Sequence, residues 1–169
     1  ENPLNIISDL GEFPLLVKLM NICPLPDLEF EKLFKNLRFA ILSNILDMKY
    51  TSAELLKFQS ALALQCFTNE YIYNHSEEEE KMLQSLEADI ENDQKKNNQQ
   101  PSPQTVLALA SYKALNQYKW HTTLVVTDEF KEVFIRQVEE PNEEEKLKQD
   151  LSILEEITDG ISSKVRAQY

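Results

Sequence analysis

Two glycines, Gly11 and Gly160, serve a chain of 169 residues. No other feature limits the fold as much. Hairpin turns draw on glycine for positive φ, and phosphate-cradling loops draw on it for close backbone approach. A chain with two has almost nowhere to place either. The sequence therefore predicts an all-α fold, an irregular bundle of seven or eight helices with no sheet. Its length suits a single domain over residues 1–169, able to bury roughly 70% of its unfolded surface.

Apolar spacing and capping residues divide the chain. Residues 1–11 read as an irregular entry. A short helix follows, with Pro14 in its first turn and Leu15, Leu16, Leu19 and Met20 as its stripe. Asp27 is placed to cap a long helix reaching about Met48, with Phe30, Leu33, Phe34, Leu37, Ile41 and Ile45 at helical spacing. Thr51 with Glu54, and Ser76 with Glu79, have capping-box spacing. The helix after Ser76 dissolves in "NDQKKNNQQPSP", read as a flexible loop over 92–103. Ser102 then caps a helix with Pro103 at its first position that reaches Leu115. A helix is expected over 127–138, and Pro141 restarts another. No period of about 34 residues with a Trp/Gly/Tyr signature is present, so a tetratricopeptide-like repeat is not readable, while a helical-repeat-like bundle stays open as an alternative.

Acidic residues outnumber basic ones 29 to 17, for a net charge of −12. Phosphate binding needs clustered Lys and Arg, so nucleic acid is not expected as a partner, nor is an anionic membrane surface. No run approaches the roughly 18 apolar residues of a membrane span. Cys23 and Cys66 lie in apolar surroundings without metal-ligand or CxxC spacing, and two buried thiols suit a reducing cytoplasm. Asp89, Glu91 and Asp93 alternate like the start of a calcium loop. Gln94 then replaces its Gly and Gln100 its closing Glu. His75 and His121 carry no HExxH pattern. Catalytic, metal and cofactor-binding residues are therefore expected to be absent from this chain.

"ALALQCFTNEYIY" (61–73) is the anomalous stretch. Leu62, Cys66, Asn69 and Tyr73 share a helical face, with Gln65 and Thr68 beside it. Buried amides need partners, because an unsatisfied one costs about 1–3 kcal/mol. Either Gln65 and Asn69 bond to neighbouring helices and fix their packing, or Gln65, Asn69, Glu70 and Tyr71 meet another domain or a partner protein.

This stretch resembles the "ALA-x-QCF-x-NEYV" segment ahead of the catalytic domain in a group of bacterial S-adenosylmethionine-dependent methyltransferases, often with tetratricopeptide repeats upstream. "ALASYKAL" is similar to their "A-x-Y-x-PL" segment, with Ala114 in place of Pro. "IRQVEEPNEEEKLKQDLSILEEITDGISSKVRAQY" (135–169) is similar to the approach to their catalytic half, where "VR-x-QYEENPYPRW" leads into the methyltransferase fold. The resemblance spans roughly residues 27–169 and implies a piece of a longer protein, with 158–169 as lead-in to a methyltransferase domain. The cofactor motif would lie past Tyr169, so S-adenosylmethionine is implied for that domain alone.

Two functions follow as expectations. The first is a non-catalytic helical module of such an enzyme, bracing domains or positioning substrate, its partner being its own catalytic domain or a protein substrate. Some of Gln65, Asn69, Glu70 and Tyr71 would then cluster near the C-terminal segment around Arg166 and Tyr169. The second is a free-standing helical adaptor that binds a protein partner. A homodimer formed through exposed apolar surface is a further option.

Overall fold

The structure, a computed structural model, describes residues 3–48, 51–97 and 99–150. Among these, seven α-helices and short 3₁₀ turns make up an all-α bundle, and no strand occurs. The helices are α1 (Pro3–Gly11), α2 (Pro14–Ile22), α3 (Leu28–Asn44), α4 (Ala53–Thr68), α5 (Glu77–Asn97), α6 (Pro103–Ala110) and α7 (131–150). Helix α4 is the axis. It packs against α1, α2, α6 and α7. Residues 61–66 of α4 are buried on every side, as expected of a helix enclosed by others.

Local chemistry sets several helix starts as expected. Asp27 accepts from the backbone N–H groups of Glu29 and Phe30. Ser76 and Glu79 form the reciprocal capping box, at 3.2 and 2.7 Å. Ser102 caps α6, with Pro103 at its first turn. At α4 the cap is Ser52, which accepts from Leu55 N–H, and not Thr51. Ser52 also shares a 3.0 Å hydrogen bond with Ser8, which ties the cap to α1.

Other expectations are corrected. Residues 3–11 are helical because Leu4, Ile7 and Leu10 recur at helical spacing and seat α1 on the core. Gly11 lies against α4, where a Cβ would collide with the Glu54 carbonyl. Helix α2 buries Val17 and Met20 and leaves Leu15 and Leu19 outside. Only Lys18 and Asn21 interrupt its apolar surface, so its pattern could not select a face. Helix α5 runs on to Asn97 through the segment read as a loop, supported by a Lys95–Glu91 pair one turn apart. Helix α6 stops at Ala110 and not at Leu115: Ser111 and Tyr112 close it in a tightened turn onto Ala108 O and Leu109 O, and the Leu115 N–H bonds instead to the Gln137 side chain.

Pro141 does not restart a helix. α7 is continuous through a π-helical turn at Ile135–Glu139, in which Glu140 N–H bonds back to Ile135. Proline lacks the N–H that would reach the Gln137 carbonyl, and its ring would crowd that carbonyl in an α-helix. The wider turn accommodates both.

Candidate functional site

The anomalous stretch ends α4. Glu70 N–H bonds to Phe67 O and Tyr71 N–H to Cys66 O, both at 2.9 Å, the bonding pattern of a Schellman cap. Glu70 and Tyr71 hold φ of 54° and 55°, a left-handed conformation that usually calls for glycine. The Glu70 side chain is exposed. Glu70→Gly is therefore expected to stabilise the protein by about 0.5–1 kcal/mol, since relief of left-handed strain outweighs glycine's unfolded-state entropy. A raised urea midpoint would show this. A lowered one would mean that the carboxylate itself holds something.

Gln65 is fully buried. With its NH₂ turned toward carbonyls, its amide donates to Cys23 O (3.1 Å) and Met20 O (3.2 Å). Its oxygen accepts from Asn69 Nδ2 and from Leu25 N–H. It thereby closes the C-terminal end of α2, whose last carbonyls lack helical partners. Asn69 Nδ2 also donates to the Tyr73 hydroxyl at 2.7 Å. The Tyr71 hydroxyl donates to Ala110 O at 3.2 Å, across to α6. Gln65, Asn69 and Tyr71 are thus bonded inside the bundle, and Glu70 faces solvent. Arg166 and Tyr169 lie outside the described residues.

Beside this cap sits a polar centre that sequence reading did not single out. Arg38 is 2% exposed. Its guanidinium donates to Ser111 O (3.4 Å), Tyr73 O (3.2 Å) and Asn74 O (3.2 Å). It also lies 4.0 Å above the Tyr112 ring, a cation–π contact. The Tyr112 hydroxyl donates to Glu79 Oε1 at 2.6 Å. One signal was present: Arg38 stands four residues from both Phe34 and Leu42, on the apolar face of α3.

Burial pushes the Cys66 thiol up to about 12 even with the Arg38 guanidinium pulling the other way. A thiol so protonated and enclosed is not a nucleophile. Burial raises the Tyr112 phenol too, reinforced by its bond to Glu79. Burial alone would also raise Glu79, but the Tyr112 hydroxyl, the Ser76 N–H and the Arg38 charge outweigh it, and its carboxyl titrates below the usual range. Its folded value is below its unfolded one, so its stabilisation is full above about pH 4.3 and is lost as pH falls through the folded value. Glu79→Gln should accordingly flatten the acid limb of the denaturation midpoint plotted against pH. An unchanged limb would assign acid lability to other carboxylates.

The centre is chemically a sealed clamp. It joins α3, the start of α5, the end of α6 and the segment after α4. Among the described residues no group of three His, Cys, Asp or Glu converges to hold a metal, and no helix is long and apolar enough to cross a membrane. Both cysteines are free.

Compared with protein-family models, with curated proteins and with solved structures, the chain matches none.

Proposed function

We propose that this chain is a non-catalytic helical module of an S-adenosylmethionine-dependent methyltransferase, bracing the catalytic domain or positioning its substrate. The observation that carries the reading is the second half of α7. Residues 142–149 are all exposed. Apart from Leu147 their side chains are polar, and ion pairs one turn apart, Arg136–Glu140 and Lys148–Glu144, stiffen the helix. A helix polar on all sides is suited to spanning from one domain to the next. It also lies within the stretch that resembles the lead-in to the methyltransferase fold. The cofactor belongs to that further domain, and no residue of this chain is assigned to it. The setting is cytoplasmic.

The test is to read the native frame past Tyr169 and titrate the native product with S-adenosylmethionine by calorimetry. A Gly-rich cofactor turn and saturable binding are expected. A stop codon after Tyr169, or no binding by the full product, overturns the reading.

A second reading, a free-standing adaptor, is favoured by α2. Leu15, Leu19 and Ile22 recur at helical spacing on its outer side, at 72%, 37% and 62% exposure, with Phe13 beside them. Such a stripe fits the apolar face of a partner's amphipathic helix. A mass that rises with concentration and is restored to the monomer value by Leu15→Lys would instead assign the stripe to a second copy.

A further inference from the structure

A groove of about 280 Å³ runs between the C-terminal end of α3, with the 3₁₀ turn that follows it, and the middle of α5. Leu42, Ile45 and Leu86 form its floor and are themselves packed into the core. Its walls are Leu46, 81% exposed, and Met82, half-buried. Helices α3 and α5 thus leave apolar side chains open to solvent along one side of their contact. The space is slightly below the roughly 300–1,000 Å³ of small-molecule sites, and it suits an anchoring side chain better than a whole ligand.

Charge around the groove has one sign. Its other lining groups are the hydroxyls of Ser43 and Ser85 and the carboxylate of Asp89, with no cation among them. Asp89 forms no ion pair among the described residues. Along α5, Glu78, Met82, Ser85, Asp89 and Asp93 follow one another at helical spacing, so the row beside the groove is acidic at both ends. Leu42 and Ser43 also belong to the last turn of α3, where the helix dipole places partial negative charge. Asp89, the acidic row and the helix end all favour a cation over the groove. A second copy of this chain, at net −12, brings mainly the wrong sign. An anionic membrane or a nucleic acid is disfavoured for the same reason.

We propose that this groove docks a basic amphipathic helix of another protein. A large apolar side chain of that helix enters between Leu46 and Met82, and a Lys or Arg one turn away meets Asp89. The groove contains no residue of α2, and the proposal does not rest on the methyltransferase reading.

The chain has three methionines, and Met20 and Met48 are buried. A spectrum of the full chain labelled at its methionine methyl groups therefore reports the groove through Met82. The probe is mastoparan, a basic peptide that forms an amphipathic helix. Its controls are the same peptide with glutamate for each lysine, and oligolysine. Expected is a saturable shift of the Met82 methyl signal with mastoparan and none with either control. Leu46→Gln, at an exposed position, should weaken mastoparan binding about tenfold, the lower end for burial of a leucine side chain. Asp89→Asn should weaken it about twofold to fivefold, as for an exposed ion pair. No saturable shift of Met82 with mastoparan, an equal response to oligolysine, or unchanged affinity in either variant overturns the proposal.

Discussion

Replacing Arg38 with methionine is expected to destabilise the protein by about 3–5 kcal/mol, the range found when one partner of a buried charge network is removed. Methionine approximates the volume of the arginine stem, so the loss is mainly electrostatic. The carbonyls of Ser111 and Tyr73 lose a charged donor in a place closed to water. The Glu79 carboxylate loses the guanidinium that favours its ionised form, and Tyr112 loses the cation over its ring. By contrast the exposed Lys95–Glu91 pair belongs to a class that contributes at most about 1 kcal/mol. Burial, not the number of ion pairs, decides which wins. A urea midpoint that falls with unchanged slope would record this. Arg38→Lys should fall between, since an ammonium keeps the charge but cannot fork to three carbonyls or lie flat on a ring. A methionine variant within about 1 kcal/mol of the wild type would show that the clamp is not what holds these helices together.

Most of the fold was legible because its signals are local. Asp27, Ser76 and Ser102 each reach a backbone N–H within three residues, so spacing alone reveals the cap. Failures arose where a distant group decided. Ser52 takes the cap at α4 while also touching Ser8, which no reading of 51–54 contains. Helix α2 has two apolar sides, and only the position of α4 determines that Val17 and Met20 go inward. The polar stretch at 61–73 was legible as a group needing partners, and its partners are mainly α2, α6 and the segment leading out of α4. That its cap would be built on Glu70 and Tyr71 in left-handed conformation, without a glycine, was not readable from the glycine rule. Arg38 escaped notice for a related reason. A lone arginine on an apolar face is ambiguous until Tyr73, Asn74 and Ser111 arrive from far along the chain.

Gln137→Leu is the second large effect, expected at about 2–3 kcal/mol. The π turn that accommodates Pro141 contains Gln137, which is completely buried in the core. There its Oε1 accepts from Leu115 N–H at 3.1 Å, and its Nε2 donates to Ala63 O and Ala110 O at 3.3 and 3.2 Å. One amide thus joins α7, α4, the end of α6 and the turn after it. Ala110 O keeps the Tyr71 hydroxyl as a donor, so the unmet group left by leucine is chiefly the buried Leu115 N–H. Leucine fills a similar volume, which keeps any cavity cost small. A second variant separates hydrogen bonding from shape. In Gln137→Glu the new carboxylate still accepts from Leu115 but faces two carbonyls where a donor stood. Burial raises its folded pKa above its unfolded one, so its penalty is least below about pH 4.3 and grows as pH rises. A glutamate deficit that is large at neutral pH and shrinks on acidification, beside a leucine deficit that does not vary with pH, would assign the stability to hydrogen bonds made from the π turn. Equal, pH-independent losses in both variants would assign it to packing, and the π turn would then be only the accommodation of Pro141.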